Sequence, residues 1–162
     1  MRAVGIILAG GDSNKLRELT YRRAVAAMPI AGSYRSIDFA LSNMANSHVN
    51  KVAVLTQYNS RSLNEHLNSS KWWDFGRKQG GLYVFPPTIT KENGDWYRGT
   101  ADAIYQNLDF LKRCHEPYVI ITSGDAVYKL DYSKVLEYHM DTKATDFTYR
   151  FSGKSWKSIY KF

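Results

Sequence analysis

Cysteine is nearly missing from this sequence: Cys114 stands alone among 162 residues. An intramolecular disulfide is therefore excluded, and the usage fits a reducing, cytoplasmic compartment. Cys114 itself reads as a structural thiol near a helix end. Long apolar runs are missing too; nothing approaches the roughly 18 consecutive apolar residues of a transmembrane helix. The chain passes into a β-type run by Val4, without the apolar region and small-residue cleavage site of a secretory signal. The four histidines, His48, His66, His115 and His139, lack metal-ligand spacing. There are no repeats or low-complexity segments, and no Ser/His/Asp grouping is legible. Gly153-Lys154-Ser155 has the look of a Walker A ending, but Thr148 stands where that motif needs glycine, and no helical pattern follows.

What is present is an ordinary globular composition, 44% hydrophobic, 23% charged and 14% aromatic, in a chain long enough for one domain with a sizeable core. The net charge of +7 raises the question of nucleic acid. Its distribution argues against that partner. Between 143 and 162, Lys143, Arg150, Lys154, Lys157 and Lys161 face a single acid, Asp146, and the rest of the chain is nearly balanced. A basic terminal stretch on a balanced body is not a nucleic-acid groove.

The organising stretch is Val4 to Thr20, VGIILAGGDSNKLRELT. A short Ile/Val-rich run stopped by Gly10-Gly11 predicts a buried strand. Glycines at a strand end let backbone N–H groups approach a ligand, and a concavity of such groups attracts anions. A phosphate loop to which Lys15 adds charge and a plain βα turn both satisfy this pattern.

Ile37, Leu41 and Met44 fall on one helical face. Lys51–Thr56 is a second strand, Ser62–Leu67 a short helix, and Leu82–Phe85 a strand among turns. Thr100–Lys112 is predicted as one helix, Tyr118–Thr122 as a third buried strand, Tyr132–Met140 as a helix and Asp146–Phe151 as a fourth strand. Strands alternating with helices imply an α/β fold, a mostly parallel sheet with helices on both faces. Ligands then sit beyond the C-terminal strand ends, where Gly10–Lys15, Gln57–Ser60 and Ser123–Asp125 all lie. Asp125, after a strand and a glycine, suits either a hard cation such as Mg²⁺ or a turn or N-cap role. Arg98-Gly99-Thr100 opens a helix, suiting an anion or an ordinary start. Trp72, Trp73 and Trp96 suit core packing or stacking on a ligand.

Taken together, ILAGG, SIDFALSN, LTQY, WYRGTADAIYQNLDF and SGDAVYK closely resemble the glucose-1-phosphate adenylyltransferase (ADP-glucose pyrophosphorylase) family of glycogen and starch synthesis. The resemblance runs from about Arg2 to Tyr149. It implies the Rossmann-like nucleotide-diphospho-sugar transferase fold, here truncated. Residues 1–150 would be the N-terminal part of the nucleotidyltransferase domain and 151–162 an atypical basic tail. It implies the reaction of ATP with glucose 1-phosphate to give ADP-glucose and pyrophosphate, with Mg²⁺. By motif match, Gly10 and Gly11 would line the triphosphate, Asp125 would hold the metal, and Gln57, Gly99 and Thr100 would lie near the nucleotide, ATP or ADP-glucose. Arg35 matches a position associated with effector anions.

The departures from the family pattern are local. Where active members have Arg-Gly-Thr-Arg-Leu after the glycines, this sequence has Asp12-Ser13-Asn14-Lys15-Leu16; where they have Arg-Ala-Lys-Pro-Ala-Val, it has Arg23-Ala24-Val25-Ala26-Ala27-Met28. Ala126 replaces the usual histidine after Asp125. The pattern resembles the regulatory-type subunit that pairs with a catalytic subunit. Two other readings stand beside it: an active sugar nucleotidyltransferase in which Lys15 is the catalytic cation, and a nucleotide- or partner-binding module without chemistry.

Overall fold

The computed structural model describes residues 2–11, 16–68, 73–75, 80–88, 96–143, 146–150 and 156–161, the last two segments as backbone only. In chain order the elements are β1 (Ala3–Ala9), a 3-10 turn (Arg17–Thr20), a second 3-10 turn (Val25–Ala27), β2 (Pro29–Ile30), β3 (Tyr34–Arg35), α1 (Ser36–Asn46), β4 (Lys51–Thr56), α2 (Arg61–Leu67), β5 (Gly81–Phe85), α3 (Thr100–Gln106), α4 (Leu108–Cys114), β6 (Tyr118–Ser123), α5 (Tyr132–Thr142), β7 (Asp146–Arg150) and β8 (Trp156–Lys161).

The main sheet has the order β5-β4-β1-β6-β8-β7, and β2 and β3 form a separate antiparallel pair. β5, β4, β1 and β6 are mutually parallel, as the alternating pattern predicts. The β1 run is apolar on both sides because both faces are covered. Alternate residues feed two cores. Ile7 and Ala9, with Val52, Val54 and Ile120, pack against Leu41 and Met44 of α1, Leu63 and Leu67 of α2, and Leu136 of α5. Val4, Ile6, Leu55 and Val119 pack against Ala103 of α3 and against Leu111 and Cys114 of α4. The predicted face of α1 is the buried one: Ile37, Leu41 and Met44 are all 0% exposed. Burying side chains of this size stabilises by ~1.5–3 kcal/mol each. Cys114 is the buried last residue of α4, and burial raises its thiol above the ordinary value.

Two expectations change. The single helix over Thr100–Lys112 is broken at Asn107, whose φ of −109° and ψ of 15° interrupt it. The cause is local: the Asn107 amide donates to the Ala103 carbonyl at 2.8 Å and to the Tyr97 hydroxyl at 3.1 Å. A side chain competing for the i−4 carbonyl is a known helix disruptor. The strand expected over Asp146–Phe151 forms as β7 over Asp146–Arg150. Residues 156–161, expected as a tail, form β8, which pairs antiparallel with β6 and, on its other side, with β7.

Tyr132 is 1% exposed within the first core, and burial pushes its phenol well above the ordinary value of 10.0; burial also raises that of Tyr128. Above that pH the unfolded chain releases protons that the folded chain retains. This contribution to stability is therefore complete below pH 10.0 and falls as pH rises toward the folded-state values. Melting curves at about pH 8 and about pH 11 should show the loss, and Tyr132→Phe should make it smaller.

Candidate functional site

The C-terminal ends of β1, β4 and β6 form one rim. The register sets it: Ala9 lies opposite Thr56 and Leu8 opposite Ser123, so the chain leaves all three strands at one level. Gly10 follows β1 and Gln57 follows β4. A Cβ on Gly10 would stand 2.9 Å from Cβ of Gln57, so the two connections touch only because residue 10 has no side chain. Gly11 is exposed, with nothing within 4 Å of where its Cβ would be. On the other flank the Gly124 amide donates to the Leu8 carbonyl at 2.9 Å, which ties the segment carrying Asp125 to β1. The structure thus brings Gly10, Gly11, Gln57 and Asp125 together at the rim, as the strand-end reading expects.

The 3-10 turn Val25–Ala27 closes one side of this rim. The Cβ of Ala26 lies 3.3 Å from the Cβ position of Gly124, where Ile7 and Ala9 also crowd in. Backbone bonds hold the turn at both ends. The Ala24 amide donates to the Asn59 carbonyl at 3.2 Å, and the Val25 carbonyl accepts from the Ser36 hydroxyl at 2.9 Å and the Met28 amide at 3.0 Å. Val25 is half-buried. Asn59, at a positive φ of 47°, also donates its amide to the Thr20 carbonyl at 2.9 Å. The sequence signal for Asn59 is its place in the polar loop after β4, since asparagine tolerates the left-handed region and is a common turn residue.

Gly99 and Thr100 stand at the start of α3. Both are exposed. Trp96, three residues before Gly99, stacks on Tyr58, the neighbour of Gln57, with ring centroids 5.0 Å apart and planes within 12°. Trp96 is 54% exposed and Tyr58 43%, so this pair is a surface stack, whereas Trp73 is buried with its ring edge-on to His66. Trp72 lies outside the described residues. Tyr97 turns inward: its hydroxyl donates to the Pro86 carbonyl at 3.0 Å, and burial raises its pKa. The exposed Trp96 ring lies on Tyr58, so a ligand placed over Gln57 would meet it. Nucleotide binding should therefore change Trp96 emission, and Trp96→Phe should remove the change, read by fluorescence titration.

Arg35 ends β3 and immediately precedes α1. Its Nη1 donates to the Ser62 carbonyl of α2 at 3.0 Å, and its amide to Oδ2 of Asp38 at 2.9 Å. Oδ1 of Asp38 in turn meets Nε2 of His66 at 2.6 Å, so this cluster binds α2 to α1. Lys15 and Asp12 lie outside the described residues.

Asp125 is exposed, and Oδ1 accepts a hydrogen bond from the Ser123 hydroxyl. Among the described residues no group of three or more His, Cys, Asp or Glu side chains converges. This donor set does not make an all-protein metal cage. It does fit Mg²⁺, which takes one or two carboxylates and completes its shell with phosphate oxygens and water. Among the described residues no helix is long and apolar enough to cross a membrane.

Comparison with known proteins places the chain in a family. The model of the nucleotidyl transferase family matches residues 4–161, continuing past Tyr149, where the resemblance was expected to end. The glucose-1-phosphate adenylyltransferase of Clostridium perfringens (strain SM101) is 49% identical over 141 residues, 87% of this chain and 36% of that protein. Its counterpart in Clostridium kluyveri is 44% identical over 172 residues, 98% of this chain and 45% of that protein. That of Halalkalibacterium halodurans is 47% identical over 136 residues, 84% and 36% respectively. The chain spans less than half the length of these relatives.

Proposed function

Because this chain belongs to the nucleotidyl transferase family, we propose that its strand-end rim is a sugar nucleotidyltransferase site of the glucose-1-phosphate adenylyltransferase type, with low intrinsic turnover. The observation that carries the first half is the convergence of Gly10, Gln57 and Asp125 at one level of the sheet. The second half rests on Val25, in a turn packed against that rim.

In the proposed reaction a phosphate oxygen of glucose 1-phosphate attacks the α-phosphorus of ATP. The α–β anhydride bond breaks, and pyrophosphate leaves with the electron pair. No covalent enzyme intermediate is required, so catalysis consists of positioning and charge stabilisation. Backbone N–H groups at Gly10 and Gly11 receive the triphosphate, where the absence of side chains admits close approach. Gln57, Gly99 and Thr100 line the nucleotide, and Asp125 holds Mg²⁺. When bound, Mg²⁺ supplies charge neutralisation at the phosphates. Lys15 is the nearest cation in sequence to the glycines. The effector reading of Arg35 is carried by resemblance alone.

An uncharged Val25, in the place where active members carry lysine, leaves the developing charge less stabilised. A rate ~10²–10³-fold below that of a normal member follows. A regulatory-type subunit that pairs with a catalytic one in the cytoplasm fits such a site. The test is pyrophosphate release from ATP and glucose 1-phosphate by the purified protein, alone and with a catalytic relative. Normal turnover alone would overturn the low-activity reading and favour Lys15 as a substitute cation. Nucleotide binding with no change in the relative's kinetics would favour a binding module.

A further inference from the structure

The connection that carries Asp125 has no regular structure of its own from Gly124 to Asp131. Asp125 faces solvent, with the Ser123 hydroxyl on its carboxylate. Where that carboxylate points therefore depends on how the following backbone is held. It is held from beneath. Asn43 of α1 donates through Nδ2 to the Tyr128 carbonyl at 3.0 Å and accepts at Oδ1 from the Leu130 amide at 3.2 Å. One side-chain amide thus reads the connection as a neighbouring strand would, bonding a carbonyl and the amide two residues on.

The second attachment is the Tyr128 ring. It turns back under β6, where its hydroxyl meets Oγ1 of Thr122 at 2.6 Å and also bonds the Tyr132 hydroxyl. Thr122 is two residues before Gly124, so the connection is clasped to the strand it has just left. Beyond it, the Ser47 hydroxyl takes the Tyr132 amide at 2.8 Å, and Asp131 caps α5 through the Ser133 amide at 2.9 Å. Asn43, Thr122 and Tyr132 are all buried. Buried, satisfied polar networks of this kind fix one backbone path.

We propose that Asn43 and Tyr128 are positioning residues for Asp125: by gripping the 124–131 connection they hold its carboxylate at the rim, so that loosening either weakens divalent-cation-dependent nucleotide binding without contact to the ligand. The proposal rests on the assignment of Asp125 as the metal-holding carboxylate. Outer partners that orient a metal ligand are worth 10–100-fold in affinity, so ~10-fold is the expected effect of losing one.

The experiment measures ATP affinity of the full chain in Mn²⁺ and in EDTA, with Mn²⁺ occupancy read by its EPR signal. The quantity that matters is the ratio of the two affinities. Asp125→Asn should abolish the metal-dependent gain. Tyr128→Phe and Asn43→Ala should reduce it ~10-fold while leaving affinity in EDTA unchanged, and the isosteric Thr122→Val should act in the same direction as Tyr128→Phe. A role confined to stability would lower the melting temperature yet keep the ratio at temperatures well below melting. If Asp125→Asn abolishes the gain while Tyr128→Phe and Thr122→Val keep it, the positioning role is wrong and the metal assignment stands. If Asp125→Asn leaves the gain intact, the metal assignment itself falls, and the positioning role with it.

Discussion

Val25→Lys combined with Asp12→Arg is expected to raise pyrophosphate release by ~10²–10³-fold. The argument is electrostatic. The proposed reaction gathers negative charge on the phosphates, and a cation fixed near that charge is worth far more than a mobile one, because no reorganisation is needed when the barrier is crossed. The backbone at residue 25 is fixed. Its carbonyl accepts bonds from Ser36 and Met28, the preceding amide is held by Asn59, and Ala26 is packed against Gly124. A lysine here would start from a rigid base beside the rim. Asp12 lies outside the described residues, and its part rests on charge alone: a carboxylate immediately after the proposed phosphate loop would repel the phosphates, and arginine would attract them. Val25→Met serves as control, similar in hydrophobic character and without charge, and should leave the rate where it is. A double variant that binds nucleotide normally but is no faster would show that these two departures are not what limits turnover.

The second large effect is expected at Gly10. Gly10→Ala puts a methyl group 2.9 Å from Cβ of Gln57, a separation at which one backbone must move. Because both atoms sit directly on main chain, no rotamer change relieves the clash. Overpacking of this kind costs ~1–3 kcal/mol. Here the strain falls where β1 and β4 end side by side, so the rim should open as well as weaken. Chemical denaturation should report the stability loss, and ATP titration a drop in affinity larger than that of Gly11→Ala, whose added methyl meets nothing within 4 Å. Equal affinity losses for the two would mean that the contact with Gln57 has no bearing on the ligand.

The contrast between these glycines shows how far the sequence could be read. That both end a strand was legible from the Ile/Val run before them; that only Gly10 touches a neighbouring connection was not, because the contact depends on the register of β1 against β4. The same boundary runs through the fold. α1 was legible because Ile37, Leu41 and Met44 repeat at helical spacing, and β4 because a β-branched run ends at Gln57. The break at Asn107 was hidden, since it depends on a side chain reaching the Ala103 carbonyl and Tyr97. β8 was hidden because WKSIYK lacks the period-two alternation of a half-buried strand and, rich in lysine and serine with its neighbours, passes for a polar tail; its place between β6 and β7 is settled by pairing alone. The rim itself was legible, because strand ends in a parallel sheet converge whatever the loops contain. Asn43 was not, since it lies far in sequence from the Tyr128 and Leu130 backbone it holds.

The central place of β1 has a kinetic side. It precedes both of its partners in the chain by a long stretch: Val4 pairs with Lys51 on one side and with Val119 on the other. Pairings so distant in sequence form slowly, because a long loop must close before any contact rewards it. Until β6 emerges, the run AVGIILA is an apolar, β-prone segment with no second partner, the kind that associates with other chains when left exposed. Yield from a cell should therefore depend on translation speed through residues 51–123 and on chaperone capacity more than on the stability of the finished sheet.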